Sequence, residues 1–395
     1  MSTAAPLAGV RVLDLSRVLA GPYCSMLLAD LGADVVKVER PGSGDPTRAW
    51  GPPFREGESA YYLSVNRGKR SVAIDLGDDA GCEVARRLAA RSDIVIESFL
   101  PGGADRLGLG YAALSAARPG LVYTSIAGYA PESVDAHRPG FDFAIQGEAG
   151  GMSITGEAGG PPLKVGVAIA DITTGMFASI GTLAALRDAE ATGASHHVQV
   201  SLFDSQLAWL ANRGADYLVG GAEPGRIGNA HPAIVPYEAF ATSDGHVIVA
   251  IGTDGQFARF CEAAGLGGLA TDPRYATNPG RVEHRGELVA RIAAAIAARP
   301  TAEWLAVLAA ANVPGGPVRT IPEAFAHAPY ALVEHEHPLL GSMRTVRSPI
   351  GIDGAYPTAA AAPPLLGQHT AEVLAELGYD GDQRERLLAG ACRLA

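Results

Sequence analysis

The residues richest in possible chemistry lie between Gly140 and Gly175, in the stretch GFDFAIQGEAGGMSITGEAGGPPLKVGVAIADITTG. Asp171 follows an apolar, strand-like run, Val165–Ala170, and directly precedes Ile172-Thr173-Thr174, the first turn of an expected helix. That is the position of a helix N-cap, where a carboxylate accepts backbone N–H groups and meets the positive end of the helix dipole. The same surroundings would keep the carboxylate ionised at neutral pH, which a carboxylate nucleophile requires. Capping and nucleophilic attack are therefore compatible readings of this one residue.

The elements that must position Asp171 follow from the hydrophobic pattern. Val10–Leu15, Asp34–Glu39, Ser71–Leu76, Asp93–Ser98 and Leu121–Ser125 are short runs rich in β-branched residues, expected as strands. Tyr23–Leu31, Asp79–Arg91 and Tyr111–Ala117 between them carry helical spacing. This alternation predicts βαβ units around a parallel, buried sheet. Residues 40–62 form a long polar connection, a length usually functional or mobile. A helix is expected near Thr173–Leu186, followed by a strand at His197–Val200 and a helix at Leu202–Asn212. The Gly-rich passage Val219–Asn229 marks a change of character. Beyond it come a hairpin, Tyr237–Thr242 and His246–Ile251, turning at Asp244-Gly245, and helices near Gln256–Ala264, Glu287–Ala298 and Thr301–Ala311. After Pro317 the chain reads as polar and irregular until a short helix near Thr370–Leu377.

Composition narrows the class. A chain of 395 residues with 48% hydrophobic residues is long enough for two or three domains, and 31 Lys+Arg against 42 Asp+Glu give a net charge of -11. Nothing broad and basic is available to neutralise phosphates, so no nucleic-acid partner is expected. Cys24, Cys82, Cys261 and Cys392 have no paired spacing, so neither a disulfide framework nor a cysteine metal site is read, and a cytoplasmic protein without a membrane segment is expected. Gly108-Leu109-Gly110-Tyr111-Ala112-Ala113 fits a dinucleotide fingerprint but lacks the preceding strand. Gly151-Met152-Ser153-Ile154-Thr155 fails as a nucleophile elbow. His335 and His337, and the pair His196-His197, are expected on opposite sides of a strand as solvated imidazoles, with no metal bound.

Six motifs in order then carry a resemblance. LDLSRVLAGPYCSMLLADLGADVVKVERPGSGDPTR, NRGKRSVAIDL, IESFLPGGADRLGLGY, the 140–175 block, TDPRYATNPGRVEHRGEL and PPLLGQHTAEVL together resemble the class III CoA-transferases, the group with formyl-CoA transferase, carnitine CoA-transferases and α-methylacyl-CoA racemases. The resemblance implies that Asp171 is the nucleophile. Its carboxylate would attack an acyl-CoA thioester to give an aspartyl anhydride and then an aspartyl-CoA thioester, with acyl-CoA as substrate and no tightly bound cofactor. It places CoA against Val18, Leu19, Ala20, Arg40, Ile74, Ser98, Phe99 and Arg106, with Ser98 standing where many relatives carry Asn.

The racemase branch uses a His after the Gly of a G-H-D motif and a Glu in the hairpin region. Here Phe141 occupies the first position and the hairpin exit, through Gln256, has no Glu, so proton transfer lacks its groups, and Gln256 is taken instead as a substrate-binding candidate. Phe141 is read as a wall of the acyl pocket or as core, Asp142 as an orienting carboxylate or a turn stabiliser. The pattern Gly228-Asn229-Ala230-His231-Pro232 through Tyr237 resembles the branch acting on succinyl-CoA and dicarboxylates. His231, with Arg226 nearby, is a candidate for a substrate carboxylate, beside a purely structural role. The alternatives are an acyl-CoA racemase or a non-catalytic acyl-CoA binder. The implied fold is α/β. A doubly wound, Rossmann-like parallel-sheet domain is made from both termini (1–200 and 321–395), with a linker at 201–224 and a smaller α/β domain at 225–320, and two chains interlock as a homodimer.

Overall fold

The computed structural model describes residues 5–393. Six strands form one sheet: β1 (Arg11–Asp14), β2 (Asp34–Glu39), β3 (Lys69–Ala73), β4 (Ile94–Glu97), β5 (Val122–Ala127) and β6 (His196–Ser201). Every pairing is parallel, and the order is β3-β2-β1-β4-β5-β6. The chain winds outward from β1 in one direction, then returns to start β4 on its other side. This is the doubly wound α/β topology, with its switch point between β1 and β4.

Apolar cores cover both faces, which is why the inner strands β1, β4 and β5 lack polar alternation. One face packs Val12, Ile94, Ile96 and Val122 against α1 (Ala20–Asp30) and α5 (Ile169–Thr192). The other packs Leu13, Val95, Val72 and Tyr123 against α2 (Asp79–Ala90), α3 (Tyr111–Ala117) and α11 (Thr370–Glu376). The C-terminal segment thus packs into the same domain as the N-terminal strands.

Contacts divide the chain into two units. The first comprises residues up to Gly151, Lys164–Ala215 and Pro329 onward; the second comprises Met152–Leu163 and Asp216–Ala328. The second unit has a three-stranded antiparallel sheet, β7 (Tyr237–Ala241), β8 (His246–Ala250) and β9 (Gly315–Pro317), in the order β9-β8-β7. Phe240, Val249, Phe257, Phe260 and Trp304 form its core with α8 (Asp254–Ala263), α9 (Arg285–Ala297) and α10 (Thr301–Ala310). Residues 201–224, expected as a linker, carry two helices, α6 (Leu202–Trp209) and α7 (Ala211–Leu218).

Several local expectations are corrected. β3 begins two residues early, at Lys69, because that fully buried lysine pairs with Asp14 of β1 at 3.3 Å and so belongs inside the sheet. The C-terminal stretch read as irregular holds a hairpin, β10 (Leu332–His337) and β11 (Gly341–Val346), and a final helix α12 (Gly381–Ala389) capped by Asp380. His335 and His337 are not solvated: residues two apart on a strand share a face, and both are buried. His335 bonds the Ala360 carbonyl through Nδ1 and the Thr345 hydroxyl through Nε2.

Candidate active site

At a switch point the loops leaving adjacent strands diverge and open a crevice at the carboxyl ends of the sheet. Here the crevice lies between the turn after β1, residues Ser16–Ala20, and Ser98-Phe99 after β4. The Arg17 N–H donates to Ser98 Oγ at 3.1 Å, tying the two lips together. Four of the residues read as CoA contacts, Val18, Leu19, Ser98 and Phe99, line these lips, and Ala20 opens α1 directly behind them. Ile74 is buried at the end of β3. Arg40 and Arg106 are exposed beyond the same edge of the sheet with no ion pair among the described residues, as is Arg17, which the sequence reading passed over. In a chain of net charge -11, unpaired cations gathered at one edge suit an anionic ligand.

A buried ionic network underlies the turn. Asp14 Oδ1 accepts from the Ser16 N–H and hydroxyl, and Lys69 contacts Asp14 Oδ2. Lys37 Nζ donates to the Ser16 carbonyl at 2.8 Å and lies 3.0 Å from Asp45, whose carboxylate accepts from Val18 N–H at 3.2 Å. Burial alone would raise the Asp14 carboxyl, but Lys37, Lys69 and two hydroxyls outweigh it and hold it at about 2. Burial wins at Lys69, pushed down to about 8 despite Asp14. Glu39 ends β2 and Asp45 lies early in the long 40–62 connection that follows, and Arg48 within it is bonded to both oxygens of Glu39 at 2.7 and 2.8 Å. That connection is therefore pinned at the sheet.

Asp171 is brought to the same β1 turn by α5. It sits three residues into α5, whose second turn crosses the start of α1: a Cβ at Gly175 would lie 2.6 Å from the Ala20 carbonyl oxygen. Only a residue without a side chain permits that approach, one turn beyond Asp171. Ala168 and Ile172, flanking Asp171, join Val18, Tyr23 and Tyr61 in packing on Leu19, Met26 and Val65.

The capping expectation for Asp171 is corrected. The N-cap position of α5 is Ala168, without a side-chain cap, and the free Ala170 N–H donates instead to Asp142 Oδ1 at 2.8 Å. Asp142 opens a helix absent from the sequence reading, α4 (Asp142–Glu148). Its other oxygen accepts from Gln146 Nε2 at 2.7 Å, while Gln146 Oε1 accepts from Val165 N–H at 2.8 Å. Asp142 and the buried Gln146 thus hold the entry to α5, and among the described residues no hydrogen bond reaches the Asp171 carboxylate. Asp171 is only 8% exposed. Burial first, then the Asp142 charge, raise it from 3.8 to about 7. A helix dipole is worth roughly 0.3–1 kcal/mol, against about 4 kcal/mol for a shift of that size, so desolvation prevails and the carboxyl is poised between its two forms near neutrality.

Tyr61 adds a hydroxyl at this place. Its ring is half-buried, edge-on to Trp50 at 5.2 Å, and burial followed by the charges of Asp171, Asp142 and Asp45 pushes its hydroxyl up to about 12. It is therefore a proton-bearing donor at any physiological pH. Phe141 is 58% exposed, so it is not core.

The second unit holds the remaining candidates. His231 Nδ1 accepts from Ala233 N–H at 3.1 Å, which leaves the ring proton on Nε2 as a donor. Arg226 donates to the Gly160 carbonyl at 2.8 Å. Gln256 closes a capping box at the start of α8, its Oε1 accepting from Gly252 and Thr253 N–H groups, a role that occupies its carbonyl. Among the described residues no group of three or more His, Cys, Asp or Glu is arranged to hold a metal ion. The segment before Gly108 is the short helix Gly103–Arg106, so the strand a dinucleotide fingerprint needs is missing.

Comparison with known proteins gives this crevice its context. The family described as CoA-transferase family III matches residues 7–370. The chain is 45% identical to a succinate–glutarate CoA-transferase of Agrobacterium fabrum, over 94% of this chain and 96% of the relative. It is 42% identical to a mouse succinyl-CoA:glutarate CoA-transferase, over 97% and 89%. A crystal structure of a CaiB/BaiF family protein from Brucella suis, 42% identical, superposes with a TM-score of 0.84, covering 95% of this chain and all of the other. The chain belongs to CoA-transferase family III and is a CoA-transferase.

Proposed function

We propose that this enzyme moves CoA from succinyl-CoA, or a similar short acyl-CoA, to a dicarboxylic acid through covalent intermediates on Asp171. The observation that carries the reading is a buried carboxylate with no hydrogen-bond partner among the described residues, set beside the β1 turn at the switch point. The relatives named as transferases between succinyl-CoA and glutarate support the substrate class.

Ionised Asp171 attacks the thioester carbonyl, forming an aspartyl–acyl anhydride and releasing CoA thiolate. The thiolate attacks the aspartyl carbonyl of the anhydride, giving aspartyl-CoA thioester and the free donor acid. The acceptor carboxylate attacks that thioester, expelling thiolate again, and thiolate attack on the acceptor's carbonyl releases the new acyl-CoA and regenerates Asp171. No proton enters or leaves the net reaction. Each intermediate hydrolyses if water reaches it, so a dry site is essential, and the burial that raises Asp171 serves that need. Asp142 and Gln146 fix the start of α5, Tyr61 offers a hydroxyl to acyl oxygens, and Val18, Leu19, Ala20, Arg40, Ile74, Ser98, Phe99 and Arg106 bind CoA. Phe141 borders the acyl group, and the Nε2–H of His231 binds the distal carboxylate of the acceptor.

We also propose that the enzyme is an interlocked homodimer. Met176, Phe177 and Ile180 on α5 and Phe143 on α4 are 42–62% exposed, an apolar surface suited to a second copy.

A matrix of acyl-CoA donors against acid acceptors tests the substrate class. Turnover is expected with succinyl-CoA and C4–C6 dicarboxylates, and His231→Ala should raise KM for a dicarboxylate at least several-fold more than for a monocarboxylate. Equal effects on both acceptors would remove His231 from specificity, and transfer only to monocarboxylates would overturn the substrate class.

A further inference from the structure

Val18 has a backbone φ of 71°. For a β-branched residue this left-handed conformation is a true outlier, and such strain persists only where the surroundings over-determine it. The surroundings do so here. Each polar backbone group from Ser16 to the Val18 N–H, apart from the Arg17 carbonyl, has a named partner: Asp14 on the Ser16 N–H, Lys37 on the Ser16 carbonyl, Ser98 on the Arg17 N–H and both oxygens of Asp45 on the Val18 N–H at 3.2 and 3.4 Å. Lys37 and Asp45 are themselves 0% and 2% exposed, and Thr47 N–H and hydroxyl fix the Asp45 carboxylate at 2.9 and 2.7 Å. A buried ion pair adds little net stability over apolar residues of the same size, because desolvation offsets the attraction. Its presence under a strained turn calls for a conformational role.

We propose that the buried Lys37–Asp45 pair is a positioning device for the CoA turn, holding Val18 in its left-handed conformation and so setting the affinity for CoA. This rests on the reading of Val18–Ala20 as part of the CoA site. The pair acts through the backbone: Lys37 fixes the carbonyl at one end of the turn and Asp45 the N–H at the other. Released from it, Val18 relaxes toward negative φ, and Leu19 and Ala20 at the head of α1 turn with it.

The test replaces the pair by apolar residues of similar size, Lys37→Met with Asp45→Leu, a change that leaves no buried charge unpaired. Free CoA is titrated calorimetrically into wild type, the double variant and the double variant carrying Val18→Gly, with Tm recorded for each. The expected result is CoA binding weakened about tenfold or more in the double variant, with at least threefold recovery on adding Val18→Gly, since glycine adopts positive φ unaided; Tm falls in both variants, because the Ser16 carbonyl and the Thr47 donors lose their partner. A merely structural pair would lower Tm in the same way but leave CoA affinity at the wild-type value and show no recovery, which overturns the proposal. Should the double variant fail to fold, Asp45→Asn with amide hydrogen exchange decides: faster exchange at Val18 with weaker CoA binding is expected, and wild-type values for both refute it. Absence of CoA binding by the wild type would instead refute the CoA reading of the turn.

Discussion

Replacing Asp171 by asparagine should stabilise the protein above neutral pH while removing its chemistry. The carboxyl is raised from 3.8 to about 7 by burial and by Asp142. The folded state therefore holds this proton more tightly than the unfolded chain does. Wild-type stability falls as pH rises from about 4 to about 7 and loses nothing more from this group above that range. At about 1.4 kcal/mol per unit the full cost is roughly 4 kcal/mol, an upper figure because the folded protein relaxes around the charge. Asparagine has nearly the same shape and no proton to lose, and no hydrogen bond to the carboxylate is forfeited among the described residues. The gain of Asp171→Asn over wild type should be below about 1 kcal/mol at pH 4 and about 2–4 kcal/mol at pH 8, read as a Tm increase of at least a few degrees. Every other titrating group is shared, so the difference isolates Asp171. A Tm difference that is the same at pH 4 and pH 8, or a variant less stable than wild type at pH 8, would refute the electrostatic reasoning.

The same value fixes a pH–rate profile: kcat/KM for the acyl-CoA should rise about tenfold per pH unit below pH 7 and level off above it, whereas a flat profile between pH 5.5 and 7 would mean that Asp171 ionises lower. Gly175→Ala puts a Cβ 2.6 Å from the Ala20 carbonyl, so it should cost roughly 1–3 kcal/mol and lower kcat by forcing α5 from α1; unchanged stability and turnover would show that the helix approach is not tight.

What could be read from the sequence, and what could not, divides by the range of the interactions. β2 and α3 fall where the periodicity puts them, Asp34–Glu39 and Tyr111–Ala117, because their signals are local. Asp171 is singled out by the motif around it, but its electrostatics are not legible there. The carboxylate that accepts a backbone N–H at the start of α5 is that of Asp142, 29 positions before Asp171, and no helix-start rule looks that far. β3 was misplaced because Lys69 looks like a surface residue until Asp14 is brought beside it. The positioning role of Asp45 depends on Val18 at positive φ, and valine is among the last residues for which a sequence suggests that conformation. The hairpin at Leu332–Val346 was hidden because its inward positions are His335 and His337, polar side chains buried by specific hydrogen bonds. α12, in contrast, carried a readable capping box in Asp380 and Gln383.

The central claim, a covalent path through Asp171, is tested most directly by mass spectrometry of the protein quenched after brief exposure to succinyl-CoA without acceptor. The account predicts CoA attached to the peptide containing Asp171, lost on adding a dicarboxylate acceptor and absent from Asp171→Ala, which should also lose turnover. Turnover by Asp171→Ala at the wild-type rate, or CoA carried on any other residue, would contradict it.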